Sequence, residues 1–318
     1  MYEPATAPVP APAPPTPARP RRTWLRMFLT GLVLWLLTVV VTFTTGNPNL
    51  IPTLVLLGSF LVPVSFVAWA FTRRHSGELT AELLFSTFVT GGVLGVLAAS
   101  VLESYLLNPS PWLFLGVGLI EEAAKLAALM FLTRGLAHKY ARDGLILGAG
   151  VGFGFAAFES AGYAFTALFT EQGNLSLMQV VQTELLRGLL APVGHGLWTA
   201  ILGGALFSAS GREHFNFTGR LLLAYLGVSL LHALWDSMHS IALLVTLLLT
   251  GTPYQYQLLE RGYQPDPTPA QAGLFTTLSW GGLALVSLIG LAWLLIVRRR
   301  ADREAQRVWW RIPIGQRG

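Results

Sequence analysis

Nine ionisable side chains stand inside stretches apolar enough to cross a bilayer: Glu103, Glu121, Glu122, Lys125, Glu159, His195, His232, Asp236 and His239. A charged group at bilayer depth costs at least a few kcal/mol, so such residues face a protein interior or a water-filled cavity and mark functional sites. The densest group is Glu121-Glu122-Ala-Ala-Lys125, inside an apolar run over 111–132. Two imidazoles, His195 and His232, with Glu159 or a carboxylate of the pair, match the ligand types of a catalytic zinc that keeps a position open for water. A further carboxylate then serves as general base in metal-assisted hydrolysis. A metal-free scheme works with the same residues: a glutamate activates water while a histidine stabilises the oxyanion. Both schemes hydrolyse an amide within the membrane plane.

Residues three, four and seven apart share a helix face, so spacing says which side chains can meet. Lys125 is within reach of both glutamates, which diverge from each other by about 100°; one can pair with it while the other stays free to work. Gly144, Gly148, Gly152, Phe155 and Glu159 form one stripe. Glycines at this spacing let helices approach closely, so the stripe is a protein contact and Glu159 extends it into the bundle. His232, Asp236 and His239 share a face, and Asp236 reads as the group that orients His232. Glu103 and His239 fall near the outer ends of their runs and read as solvated.

Plainer roles exist for each residue. Glu121, Glu122 and Lys125 can be an ion pair that fixes helix packing, and Glu159 can bond a neighbouring helix. His195 and His232 at similar depth, opposite three glutamates, favour function over two unrelated buried histidines. His195-Gly-Leu-Trp198 and His232-Ala-Leu-Trp235 read alike, but so short a match does not establish a duplication.

The elements that must carry these groups are membrane helices. Of 318 residues only 12% are charged and 53% are hydrophobic, a balance unlike that of a soluble domain. Apolar runs of spanning length occur at 25–43, 51–71, 83–102, 111–132, 145–165, 189–208, 221–249 and 274–297, predicting an all-α polytopic protein of about eight spans. Basic residues cluster on every second connection: Arg19 to Arg26; Arg73 and Arg74; Arg134, Lys139 and Arg142; Arg212 and Arg220; then Arg298, Arg299 and Arg300 with Arg303, Arg307 and Arg311. The positive-inside rule then puts both termini in the cytoplasm. The net charge of +5 reads as topology and lipid-headgroup contact rather than nucleic-acid binding. At 1.5 Å per residue Glu121 and Glu122 lie about 15 Å below the outer face, Glu159 and His195 about 9 Å below it, and His232 and Asp236 about 16 and 22 Å up from the inner face.

Residues 1–22 are a Pro- and Ala-rich tail that predicts no core of its own, and the run after it lacks a signal-peptide cleavage pattern. The membrane domain is expected over 23–300, its catalytic core over 111–240, and a basic tail over 301–318. There is no cysteine, which removes disulfides, thiolate metal sites and a cysteine nucleophile. His-Glu-x-x-His and Gly-x-Ser-x-Gly are missing and Asp236 is the one aspartate deep in a span, so zincin, serine and aspartyl mechanisms lack their residues.

Glu121-Glu122-x-x-Lys125, Phe155-x-x-x-Glu159, His195 in Gly-His-Gly-Leu-Trp and His232-x-x-x-Asp236, in this order and each on its own helix, resemble the PrsW family of intramembrane proteases. That family is related to the CAAX-protease-like and bacteriocin-immunity membrane enzymes. The resemblance implies an intramembrane peptidase of the cell membrane whose site residues are Glu121, Glu122, Glu159, His195 and His232, supported by Lys125, Asp236 and Phe155. It also implies regulated cleavage of a membrane-spanning partner of the anti-sigma-factor kind. The metal stays open, since the family is labelled metalloprotease while relatives are argued to be glutamate-type; a zinc set would be His195, His232 and Glu159. An ion-coupled transporter, which predicts inverted repeats, and a non-catalytic scaffold are the competing readings.

Overall fold

The computed structural model describes residues 22–72, 78–170, 175–210 and 213–311, the side chains of 305–311 excepted. The N-terminal tail and the basic residues Arg19, Arg21, Arg73, Arg74 and Arg212 therefore lie outside the described residues. Ten α-helices follow in chain order: α1 Thr23–Thr45, α2 Ile51–Thr72, α3 Ala81–Leu106, α4 Leu113–Thr133, α5 Ala141–Ala167, α6 Leu177–Leu190, α7 His195–Ser210, α8 Gly219–Thr250, α9 Pro253–Glu260 and α10 Pro269–Arg311. No strand occurs among the described residues, only an isolated bridge between Phe169 and Leu175.

Among the described residues seven helical segments are long and apolar enough to cross a membrane. The difference from the eight counted on the sequence is α4, which has spanning length, 21 residues, but carries both glutamates and Lys125 at its centre. The sixth span also differs. It starts at Leu177, not 189, because α6 runs into α7 through a 3-10 turn, Ala191–Val193, as one segment Leu177–Ser210. Gln179, Gln182, Glu184 and Arg187 made that stretch read as a loop, yet Glu184 is buried and Arg187 is half-buried against α5. Pro192 lacks a backbone donor and breaks the helix, so α7 begins at His195. That places His195 in the interior of the span rather than close to its outer end. Two further segments read as non-helical are helical: α9, fixed by a Thr252–Gln255 capping box, and the C-terminal region, where α10 continues to Arg311.

α5 is the central element, packed on α7, α3, α2 and α4. Its glycines make this possible. A Cβ on Gly144, Gly148 or Gly152 would fall on the α7 backbone at Gly203, Thr199 and His195 respectively, so the predicted stripe is a helix contact. On the opposite face Gly154 touches the α3 backbone; a Cβ on its partner Gly92 would sit 2.5 Å from the Gly154 carbonyl carbon. Close approach of this kind substitutes for a hydrophobic driving force in lipid. Gly148→Leu should cost about 3 kcal/mol by forcing α5 from α7. Gly281→Leu, on an open face with nothing near its Cβ, should change stability by less than about 0.5 kcal/mol. Thermal unfolding in detergent compares the two directly.

Outside the spans, Lys139 is buried. Its ammonium donates to the carbonyls of Leu136 and Glu213 at 2.9 and 2.5 Å, tying the α4–α5 and α7–α8 connections together.

Candidate active site

Six consecutive helices each deliver one ionisable residue to a single cavity of about 520 Å³: Glu103 from α3, Glu121 from α4, Glu159 from α5, Arg187 from α6, His195 from α7 and Asp236 from α8. Glu122, Lys125 and His232 pack directly behind its wall, at 0%, 0% and 1% exposure.

Lys125 is the hub. Its Nζ donates to Glu121 Oε2 at 3.1 Å and to Glu122 Oε1 at 2.7 Å. It lies 2.8 Å from His195 Nδ1 and 4.1 Å from the centre of the Phe155 ring. The expectation that one glutamate pairs with the lysine while the other stays free is thus corrected, since the ammonium sits between them. What distinguishes the two is position: Glu121 lines the cavity and Glu122 does not.

Each histidine is backed by a carboxylate. His232 Nδ1 lies 3.0 Å from Glu122 Oε1, and His195 Nε2 lies 3.0 Å from Glu159 Oε2. Assigning the ring protons to these bonds leaves the lone pairs of His232 Nε2 and His195 Nδ1 on the sides facing Glu121 Oε2, at 3.6 and 3.8 Å. Asp236 Oδ2 lies 3.2 Å from the same His232 Nε2. Trp198 stacks on the His232 ring at 4.6 Å and meets the His195 ring edge-on at 5.3 Å, which fixes both ring planes. Phe155 closes the other side of His195 at 5.1 Å.

Glu121, His195 and His232 each offer a ligand atom within 4.8 Å of the others. A carboxylate with two imidazoles, each held by a second carboxylate, is the donor set of a catalytic zinc with its orienting shell, and the spacing fits one ion. The sequence offered Glu159 or a carboxylate of the 121–122 pair for this set. Glu159 instead bonds His195 from behind and pairs with Arg187, so Glu121 takes its place. Lys125 competes with an ion for the same atoms, because its ammonium already holds Glu121 Oε2 and His195 Nδ1.

Two wall residues escaped the sequence reading. Arg187 pairs with Glu159, donates to Ser160 Oγ at 2.7 Å and stacks on Tyr163 at 4.3 Å. The signal was present: a Glu184–Arg187 pair three residues apart, continuous with the next apolar run. Glu103 was taken as solvated because the third span was ended at 102, but α3 runs on to Leu106 and turns Glu103 into the cavity. Its Oε1 is buried with no hydrogen-bond partner among the described residues. His239 is exposed as expected, against Phe275.

A model of the PrsW family intramembrane metalloproteases matches residues 80–259, more than half of the chain and all six helices of the cavity. The chain belongs to this family. No curated protein and no solved structure matched it. As a PrsW family member it is an intramembrane peptidase, a multi-pass protein whose apolar helices sit in a lipid bilayer. The matched region leaves α1, α2 and α10 outside, so the PrsW core is α3 to α9.

Proposed function

We propose that this PrsW protein hydrolyses a peptide bond in a membrane-spanning partner protein, with Glu121 at the reacting centre. What carries the reading is that Glu121 is the member of the glutamate pair that lines the cavity, with His232 Nε2 at 3.6 Å and His195 Nδ1 at 3.8 Å from its Oε2. Glu122 and Glu159 hold the two imidazoles in one tautomer each, and Trp198 and Phe155 keep their planes. α7 begins at the cavity wall, where Leu197 and Trp198 already donate their N–H groups to the Gly194 carbonyl, so the His195 N–H at the helix start is the one suited to an oxyanion formed there.

Glu121, His195 and His232 would hold a divalent ion, by donor type zinc, and such an ion would supply an acidified water and an electrophile for the scissile carbonyl. A metal-free scheme is favoured by one observation, the Lys125 ammonium bonded to two of the three donors. There Glu121 Oε2 takes the proton from water and returns it to the leaving amine.

Eight spans with both termini cytoplasmic, location in the plasma membrane and an anti-sigma-factor-like substrate complete the proposal. The alternation of basic loops supports the first, and the resemblance supports the last. The test is cleavage of a single-span reporter by the full-length protein in liposomes, with metal analysis alongside. About one zinc per chain, with activity lost to 1,10-phenanthroline and restored by zinc, establishes the metal scheme. Full activity in chelator with no metal bound establishes the Lys125–Glu121 scheme. A His195→Ala variant that cleaves at the wild-type rate would remove the hydrolytic reading altogether, and ion-dependent uptake lost in its place would favour transport.

A further inference from the structure

On the far side of α6 from the catalytic cavity lies a larger one, about 1070 Å³, walled by α1, α2, α5, α6, α7 and α10. Its lining is mostly apolar, and Leu185 and Leu189 on its rim are 56% and 74% exposed, so it opens toward the surrounding lipid. Away from the end formed by Arg142, Arg298 and Asp302, one carboxyl interrupts the apolar wall. Glu184 is only 4% exposed, its Oε2 accepts from Trp35 Nε1 at 2.7 Å, and its Oε1 has no partner among the described residues.

Three helices are shaped around this group. Trp35, itself 4% exposed, reaches it from α1, and Gly58 of α2 leaves the room it fills, since a Cβ there would fall on the Glu184 carboxyl. Burying a carboxyl is costly, and an oxygen left without a partner adds to that cost. A leucine at 184 would pack the same interface without that cost. A large apolar cavity with one aimed polar group has the form of a ligand site.

We infer that this groove binds a long-chain amphiphile bearing a neutral hydroxyl, of the fatty-alcohol or acylglycerol class, with the hydroxyl on Glu184 Oε1 and the chain along the apolar wall. A hydroxyl both donates and accepts, so it satisfies Oε1 whether the carboxyl is protonated or ionised; an amine satisfies only the ionised form. Arg142, Arg298 and Asp302 make one end of the groove polar, with Arg142 and Asp302 paired at 2.7 Å. The inference is independent of the catalytic reading, because Trp35 and Gly58 lie outside the matched family region and none of the catalytic candidates lines this groove.

The experiment is photolabelling of the full-length protein in nanodiscs with a diazirine-bearing 1-hexadecanol, competed by unlabelled 1-hexadecanol, with the methyl ether of the same probe as control. Saturable labelling of peptides from α1, α2 and α6, at least tenfold weaker for the ether and at least tenfold weaker in Glu184→Leu, is the expected result. Gly188→Leu is the second variant: it lines the groove with open space at its Cβ, so its side chain fills the site while the carboxyl stays intact, and labelling should fall equally. Labelling that is not competed, that is equal for the ether, or that is unchanged in both variants overturns the inference.

Discussion

Glu121→Gln is expected to lower kcat/KM for a membrane-embedded reporter by about 10³-fold while leaving the protein folded, in line with the loss of a positioned base or metal carboxylate. Glutamine matches glutamate in shape, and its amide oxygen still accepts from Lys125 Nζ, which donates to Glu121 Oε2 at 3.1 Å. The helix packing therefore has no reason to change. What disappears is the negative charge that either scheme needs at this atom, facing His195 Nδ1 at 3.8 Å and His232 Nε2 at 3.6 Å. Glu122→Gln is the informative contrast. That side chain is outside the cavity wall and bonds His232 from behind, so the loss should be smaller, about 10- to 100-fold, as for groups that orient a ligand or base. Turnover for both variants, with circular dichroism and size-exclusion profiles as folding controls, decides the matter; equal losses would mean the two glutamates share one role.

Lys125→Met is expected to destabilise the bundle by about 3–5 kcal/mol, the scale for removing one partner from a buried ionic cluster. The ammonium is fully buried and bridges both glutamates at 3.1 and 2.7 Å, so removing it leaves two carboxylates on adjacent positions of one helix with no cation between them. Methionine keeps the length and the contact with Phe155, isolating the charge. If the penalty arises from the orphaned carboxylates, Lys125→Met combined with Glu122→Gln should recover at least half of it, a coupling a double-mutant cycle measures. Unfolding midpoints of the three variants in one detergent provide the numbers. A single variant as stable as the parent would mean the lysine is present for chemistry alone.

Charge standing in apolar sequence is what made the site legible. Glu121, Glu122, Lys125, Glu159, His195, His232 and Asp236 could be assigned to one cluster because no bilayer-crossing helix carries such groups without partners. The glycine ladder of α5 told which face of that helix meets protein. Choosing between partners was beyond reach: whether Lys125 takes one glutamate or both, and whether Glu121 or Glu159 faces the two imidazoles, depends on differences of an ångström or two set by packing from several helices. α6 was misread for a different reason. Its polar residues average down the hydropathy of a stretch whose helix is sustained by partners far away in sequence, Trp35 for Glu184 and Glu159 for Arg187. α9 was a missed local signal, since Thr252 before Pro253 with a glutamine at the third position marks a helix start.

Because each of six successive helices supplies one group to the catalytic cavity, no partial product of translation holds a complete set. A nascent chain on the ribosome, still lacking α8, has neither His232 nor Asp236. Hydrolytic competence thus arrives late, after nearly the entire family domain has left the insertion machinery.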